Sequence, residues 1–448
     1  PFSTRCARCC ERERAEARAV VTAAPDQAAP STTRRIVRAA GINSLGNIAS
    51  RVMGLLREAV VAATFGASGA TSAFDAVSGV PKMVYELLVG GMLSAALVPV
   101  LSEYAPPPDP PANAEEQAAR AAQQAELDEV LSVLLSLGLA VLLVVTAALA
   151  LGAPWIAPLL IGGFDRELLA TATLLTRVIV PSIIVYGLSG ILQAYHYARQ
   201  KFVYPALGAP AHNLGVIVAV VLLARRLDIV SLSVGIVVAA STQFLVQLPG
   251  LRGARLRWCL NWRHPVVRRI LGLYAPVVLS IVIQNIGIIL DRNLASRTVP
   301  EAITWMTKAT FLIQLPLGLV SMAISLAVLP TLSQIDARQS LEPFKRTFSR
   351  SLRLVLVMIL PAAAALWVLG QPLIALIFQR GAFTATDSLE TWRALRVYLI
   401  GLPFAAVDLP LIFAFYAQKD TVTPVVVGII AVALYLVVGP TLAFALGW

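Results

Sequence analysis

Residues 128–163 read DEVLSVLLSLGLAVLLVVTAALALGAPWIAPLLIGG, and after Asp128 and Glu129 the stretch has no ionisable side chain. It is longer than the roughly 20 apolar residues needed to cross a ~30 Å hydrocarbon core. Its last part, LGAPWIAPLL (151–160), returns as LGQPLIALIF (369–378), with Gly152, Pro154 and Ile156 on Gly370, Pro372 and Ile374. A membrane span is therefore predicted, and one that occurs twice.

Further apolar stretches lie at 203–224, 228–248, 270–290, 311–331, 353–377 and 423–447. Those at 36–65, 76–101, 168–198 and 392–418 are also long but carry a few ionisable residues. Together they predict about eleven transmembrane helices. The chain is 448 residues long, 58% hydrophobic and 14% charged, whereas soluble domains are about a quarter charged.

Two more pairs of segments extend the repeat. SAALVPVLSEY (94–104) matches SLAVLPTLSQI (325–335), placing Ser94, Pro99, Leu101 and Ser102 on Ser325, Pro330, Leu332 and Ser333 at one constant interval. YARQKFVYP (197–205) matches YAQKDTVTP (416–424). Matched Pro, Gly and polar positions in the same order argue against a chance likeness of two apolar helices. The expected organisation is a disordered tail over 1–33, an N-lobe of six spans over 34–252, a basic linker over 253–265, and a C-lobe over 266–448. The C-lobe reaches five spans before Trp448 and reads as incomplete.

Net charge is +11. Placing the N-terminus in the cytoplasm puts Arg34 to Arg38, Arg199 and Lys201, Arg252 to Arg269, Arg338 to Arg353 and Lys419 inside. The opposite loops hold fewer, namely Arg166, Arg225, Arg226, Arg297 and Arg380. Excess Lys and Arg marks cytoplasmic loops, so a multi-pass protein of the cytoplasmic membrane is expected with its N-terminus inside. On that topology the two repeats run parallel and enclose a site at their interface. The basic residues sit in short loops between spans, so topology explains them and no nucleic-acid partner is expected.

Nothing points to an enzyme. GxxxxGK[ST], HExxH and GxSxG are absent, and His196, His212 and His264 are scattered. Cys6, Cys9, Cys10 and Cys259 read as unpaired thiols, so neither a metal nor a cofactor is expected. Transport remains, and charges inside spans are its usual mark. NSLGNIASRVMGLLREAVVAATFGA (43–67) holds Arg51, Arg57 and Glu58, and the next span holds Asp75, Lys82 and Glu86. Arg51 and Glu58 share a helical face two turns apart, with Arg57 about 120° from Arg51. Arg51 is expected in a cavity. Arg57 and Glu58 either face it or snorkel outward, and Lys82 with Glu86 is spaced for an i,i+4 pair. In the second half, Asp291 and Arg292 end one span and Lys308 begins the next, while Arg393, Arg396 and Arg177 suit either a cavity or the interface. His212 and Asn213 read as satisfying neighbouring helices.

At these residues the chain resembles a known family. SRVMGLLREAVVAATFGASGATSAF (50–74), LVPVLSEY (97–104), VLPTLSQ (328–334), FQRGAFTATDS (378–388) and YAQKDTVTP resemble segments of the MurJ/MviN lipid II flippases, of the MOP exporter superfamily, in order from about residue 36 to 448. The resemblance implies an all-α fold of two helical lobes around a central cationic cavity, MATE-like. It also implies export of an undecaprenyl-diphosphate-linked peptidoglycan precursor by alternating access, with membrane lipid as the surrounding partner. Ser50, Arg51, Gly54, Arg57 and Glu58 match the family's first-helix motif. The family's next acid falls on Ser72, with Asp75 one turn away. Its Asn after the second-helix Pro is Lys82, its basic pair falls on Tyr85 and Glu86, and its second-lobe Arg falls on Phe311, one turn from Lys308. Asp291 matches the first sodium ligand of some members, whose later positions here are Tyr435 and Gly439. Arg51, Arg57, Lys82 and Lys308 are the expected substrate-binding residues, and Ser50, Glu58, Asp75, Glu86 and Asp291 the expected gating residues. The competing readings are an exporter of another lipid-linked oligosaccharide, a drug/cation antiporter with an acidic aromatic cavity, and a membrane scaffold.

Overall fold

The structure is a computed structural model that describes residues 30–86, 96–107, 113–335, 341–418, 420 and 422–445. The expected disordered tail falls outside these residues up to position 29, as do Cys6, Cys9, Cys10, Ser94 and Lys419. Among the described residues there are helices and no strand.

Helix α1 (Pro30–Phe65) ends at Gly66, which takes φ 62° and returns its N–H to the Ala62 carbonyl at 2.9 Å. That left-handed stop suits a residue without Cβ. A Ser68/Thr71 capping box then starts α2 (Gly69–Val77), followed by α3 (Gly79–Tyr85) and α4 (Val98–Tyr104). Asn113 caps the 48-residue α5 (Ala114–Ile161) by accepting from the Glu116 N–H at 2.7 Å. Asp165 caps α6 (Arg166–Ile179). Pro181 has no N–H to continue the ladder, so α7 (Ser182–Ala198) starts anew. Then come α8 (Val203–Leu227) and α9 (Val230–Leu245).

After the linker, the second half runs α10 (Pro265–Ala295), α11 (Ala302–Pro316), α12 (Met322–Gln334), α13 (Leu341–Phe378), α14 (Ala385–Ala417) and α15 (Val422–Ala445). Pro316 closes α11, and a π-turn over Leu317–Ser321 follows, in which the Met322 N–H reaches back to the Leu317 carbonyl. Prolines recur inside α5 (Pro154, Pro158) and α13 (Pro361, Pro372), as the repeat implies.

Eight helical stretches among the described residues are long and apolar enough to cross a membrane. Three other spans were expected. At 36 and 31 residues, α1 and α10 have the length for it, and 76–101 runs into undescribed positions 87–95. Phe404 at 77%, Trp155 at 76% and Leu151 at 74% exposure form a surface that only lipid would solvate without cost.

Each half has its own core. Leu142, Leu175, Ile179, Val220 and Leu232 pack together in the first half. Leu312, Ile359, Ile374, Phe378 and Leu399 do so in the second. The halves pack against each other at the tip of α1, among other places. Ala62, at the tip of α1, is fully buried in the second core, and the Ala382 N–H donates to the Ala63 carbonyl at 2.9 Å. Gly163 N–H donates to Ser296 Oγ at 3.0 Å, Asn293 Nδ2 donates to the Leu159 carbonyl at 3.0 Å, and Ser72 Oγ lies 3.1 Å from Thr304 Oγ1. Gly66 and Gly381, at φ 62° and 58°, hook past one another, since a Cβ on either would strike the backbone of Ala382 or Ala63.

Alanine at a left-handed position costs about 1–2 kcal/mol before any clash. Gly381→Ala or Gly66→Ala is therefore expected to lower the thermal unfolding midpoint of the purified protein. Gly428→Ala, in open space on α15, is expected to leave it unchanged or raise it slightly. Equal midpoints for all three would show that the hook does not hold the halves together.

Candidate functional site

A carboxylate in the bundle interior persists as an anion only if nearby donors replace its water. Glu58 meets that condition from two directions. Lys308 Nζ, from α11 in the second half, donates to Oε2 at 2.5 Å, and an Arg57 guanidinium nitrogen donates to Oε1 at 2.5 Å. Neighbouring residues on a helix point about 100° apart, so Arg57 must curl back to reach Glu58. Its other nitrogen donates to Asn213 Oδ1 at 3.0 Å, and Asn213 Nδ2 donates to the Ser50 carbonyl at 3.1 Å. The Lys308 side chain is 2% exposed, with its ammonium 6.0 Å from the centre of the Phe378 ring.

This group sits in the wall of a 590 Å³ cavity lined by both halves. The first half contributes Arg57, Glu58, Asp75, Lys82, Tyr85, Glu86, Tyr186, His212 and Asn213, and the second Arg292, Thr307, Lys308, Phe311 and Gln314. The lining cations are Arg57, Lys82, Arg292 and Lys308, against the acids Glu58, Asp75 and Glu86. Asp75 lies within electrostatic reach of Lys308 and Arg292. Arg292 is oriented by Thr307 Oγ1, which accepts from it at 2.7 Å. Lys82 and Glu86 pair at 3.9 Å with side chains 72% and 46% exposed, so they mark the mouth, away from the closed end of the bundle. Tyr186 shares a 2.6 Å hydrogen bond with His212 and packs edge-on against Tyr85. Gln193, Gln243 and Gln247 add amides to the wall.

Six of the nine expected site residues thus line one cavity: Arg57, Glu58, Asp75, Lys82, Glu86 and Lys308. The remaining three are placed elsewhere. Ser50 joins through its carbonyl. Arg51 lies on an exposed face of α1 against Gly318 of the π-turn, so it does not line the cavity. It does share the Glu58 face, one helix segment further along the seam between α1 and the second half. Asp291 turns away from the cavity and accepts from the Tyr435 hydroxyl of α15 at 3.0 Å.

Arg292, one residue on, points inward instead. The sequence reading does not place it at the site, although the 100° step per residue means that the adjacent pair cannot both face one way. His212 and Asn213, read as bracing neighbours, also line the cavity, and Asn213 does both. Arg396 stacks between Trp367 and Trp392 at 4.7 Å from each ring, and Arg393 pairs with Glu390 at 2.6 Å, both away from the cavity.

The sequence profile described as lipid II flippase MurJ matches residues 61–448. Lipid II flippase MurJ of Burkholderia cenocepacia is 32% identical over 394 residues, covering 85% of this chain and 73% of that protein. The probable lipid II flippase MurJ of Vibrio cholerae is 29% identical, covering 93% and 79%. Among solved structures, lipid II flippase MurJ in an inward closed conformation superposes with a TM-score of 0.72 at 24% identity, over 87% of this chain and 79% of that one. An inward-facing MATE family multidrug resistance transporter of the MOP superfamily gives 0.67 at 12% identity, over 86% and 84%. These structural likenesses establish a fold of two helical lobes around a central cavity. By sequence, the chain belongs to the lipid II flippase MurJ family.

Proposed function

We propose that this chain is a flippase that carries lipid II, an undecaprenyl-diphosphate-linked peptidoglycan precursor, across the bacterial cytoplasmic membrane by alternating access. Family membership supports the substrate, and one observation carries the mechanism. The Lys308–Glu58 pair joins the two halves inside a cavity that also presents Arg57 and Arg292.

A diphosphate carries more negative charge than a carboxylate and accepts from Lys and Arg in the same way. On entering past Lys82, it competes with Glu58 for Lys308 and Arg57. Each donor it takes loosens a link between the halves, so binding is coupled to rearrangement of the seam. Asp75 stands beside Lys308 and Arg292 and re-pairs them after the headgroup leaves. The polyprenyl chain stays in lipid, beside the bundle. In this reading residues 34–252 and 266–448 are the moving lobes. With the N-terminus in the cytoplasm, the closed end faces outward and the cavity mouth faces the cytoplasm. The balance of lining charge favours this reading over a cation antiporter, whose cavity would be acidic.

The test is translocation of fluorescent lipid II in proteoliposomes. Lys308→Ala and Arg57→Ala are each expected to slow it roughly tenfold to a hundredfold, the worth of a hydrogen bond to a charged group. Arg51→Ala, outside the cavity, is expected to retain most activity. Wild-type rates in Lys308→Ala would sink the assigned role. Wild-type failure with lipid II, but transport of another diphosphate-linked oligosaccharide or of an organic cation, would replace the substrate.

A second measurement isolates the pair. Glu58→Gln leaves a buried ammonium without its counter-charge, a loss of about 3–5 kcal/mol for such pairs. Its thermal midpoint should fall well below wild type. The double variant Glu58→Gln, Lys308→Met should recover much of that loss, and strictly additive shifts would mean that the two side chains are not coupled.

A further inference from the structure

The linker between the halves is bound in an unusual way. The backbone N–H groups of Arg255, Arg257 and Cys259 donate to Asp128 Oδ2 at 2.8 Å, Ser132 Oγ at 3.0 Å and Ser136 Oγ at 3.0 Å. The acceptors recur every four residues on one stripe of α5, and the donors recur every two along an extended segment outside any helix. Because the attachment uses main-chain hydrogens, it occupies none of the linker's side chains.

Those side chains sort into two kinds. Leu256, Trp258, Leu260 and Trp262 are 44%, 66%, 52% and 68% exposed. They fall on alternate positions, which project to one side of an extended chain. Arg252, Arg255, Arg257 and Arg263 are also exposed, and none is in an ion pair among the described residues. Arg269 differs, being held by Glu103 at 2.6 Å and 2.7 Å.

The level of the segment follows from α5 and α10, which pack side by side. Asn293 of α10 meets Leu159 of α5, so Ile270, where the apolar stretch 270–290 of α10 begins, stands level with about Ser136. That stretch has the roughly 20 residues of a hydrocarbon core. Ser136 then lies at the core's edge, with Ser132 roughly 6 Å outside it in the headgroup layer and Asp128 roughly 12 Å outside. Tryptophan belts concentrate at that depth, and arginine meets lipid phosphate there.

We propose that residues 252–263 are an interfacial strap that binds anionic phospholipid of the surrounding bilayer. Trp258, Leu260 and Trp262 bed at the edge of the acyl region, and the arginines beside and above them take the headgroup phosphates. The site is distinct from the transport cavity, and its ligand is bulk lipid rather than cargo.

The experiment uses the full chain in proteoliposomes without lipid II. The emission of Trp258 and Trp262 is obtained by subtracting the Trp258→Phe, Trp262→Phe variant from wild type, or each single variant should the double one fail to insert. Phosphatidylglycerol brominated near the carbonyl end of its acyl chain is expected to quench this difference signal more strongly than aqueous iodide does. It should also quench more strongly than equally brominated phosphatidylcholine at the same mole fraction. Replacing the four arginines with glutamine should remove the preference for phosphatidylglycerol, by up to roughly fivefold per charge. Quenching by iodide but not by brominated lipid would overturn the strap. Equal quenching by the two lipids would overturn its selectivity for anionic lipid.

Discussion

The bundle is organised around a carboxylate that water does not reach freely. Each oxygen of Glu58 receives a cationic donor, and the two donors come from different halves. A pair with one partner in each lobe makes local electrostatics and global arrangement the same problem. Separating the lobes means stripping Lys308 from Glu58, and in a low-dielectric interior that is affordable only if another anion takes its place. Around this pair, Asn213 ties Arg57 to the Ser50 carbonyl two turns earlier on the same helix, and the Gly66–Gly381 hook closes the far end.

The two halves share their punctuation but not their surfaces. Pro154 and Gly152 in α5 answer Pro372 and Gly370 in α13, so the two repeats carry a proline at the same point of matching helices. Carrying that same interval back along the helices puts Arg346, Arg350 and Leu354 of α13 where α5 has Asp128, Ser132 and Ser136. Arginine and leucine offer no acceptor to an extended backbone, so the linker docks on the first half alone. A shared frame has thus taken on a difference at one stripe of one helix.

Much of this could be read from the chain because ionisable residues in apolar spans are costly and therefore conspicuous. Arg57, Glu58, Asp75, Lys82, Glu86 and Lys308 were marked out by that cost, and they line one cavity. Arg51 and Asp291 carried the same mark but are placed elsewhere. Rotation of a helix about its axis is set by packing across the seam, which hydropathy does not encode. Arg51 faces the second half beside Gly318, and Asp291 faces Tyr435, a partner far away in sequence. Tyr186, Gln243 and Gln247 were silent for the opposite reason. Uncharged polar side chains are common inside helical bundles, and only their convergence gives them meaning.

The attachment of the linker to α5 also works as a vernier. Two residues of extended chain advance about 6.6–6.8 Å, while four residues of helix advance about 6.0 Å, so the two rulers drift apart by roughly 0.6–0.8 Å at each rung. Three rungs stay within hydrogen-bonding range, and a fourth would begin to strain. The zipper therefore sets its own length. Slipping it by one notch would shift the start of α10 by about 6 Å, breaking every rung before any could re-form. A connector that could have been slack is instead a gauge, holding the entry to the second half at one height, at the opposite end of the bundle from the Gly66–Gly381 hook.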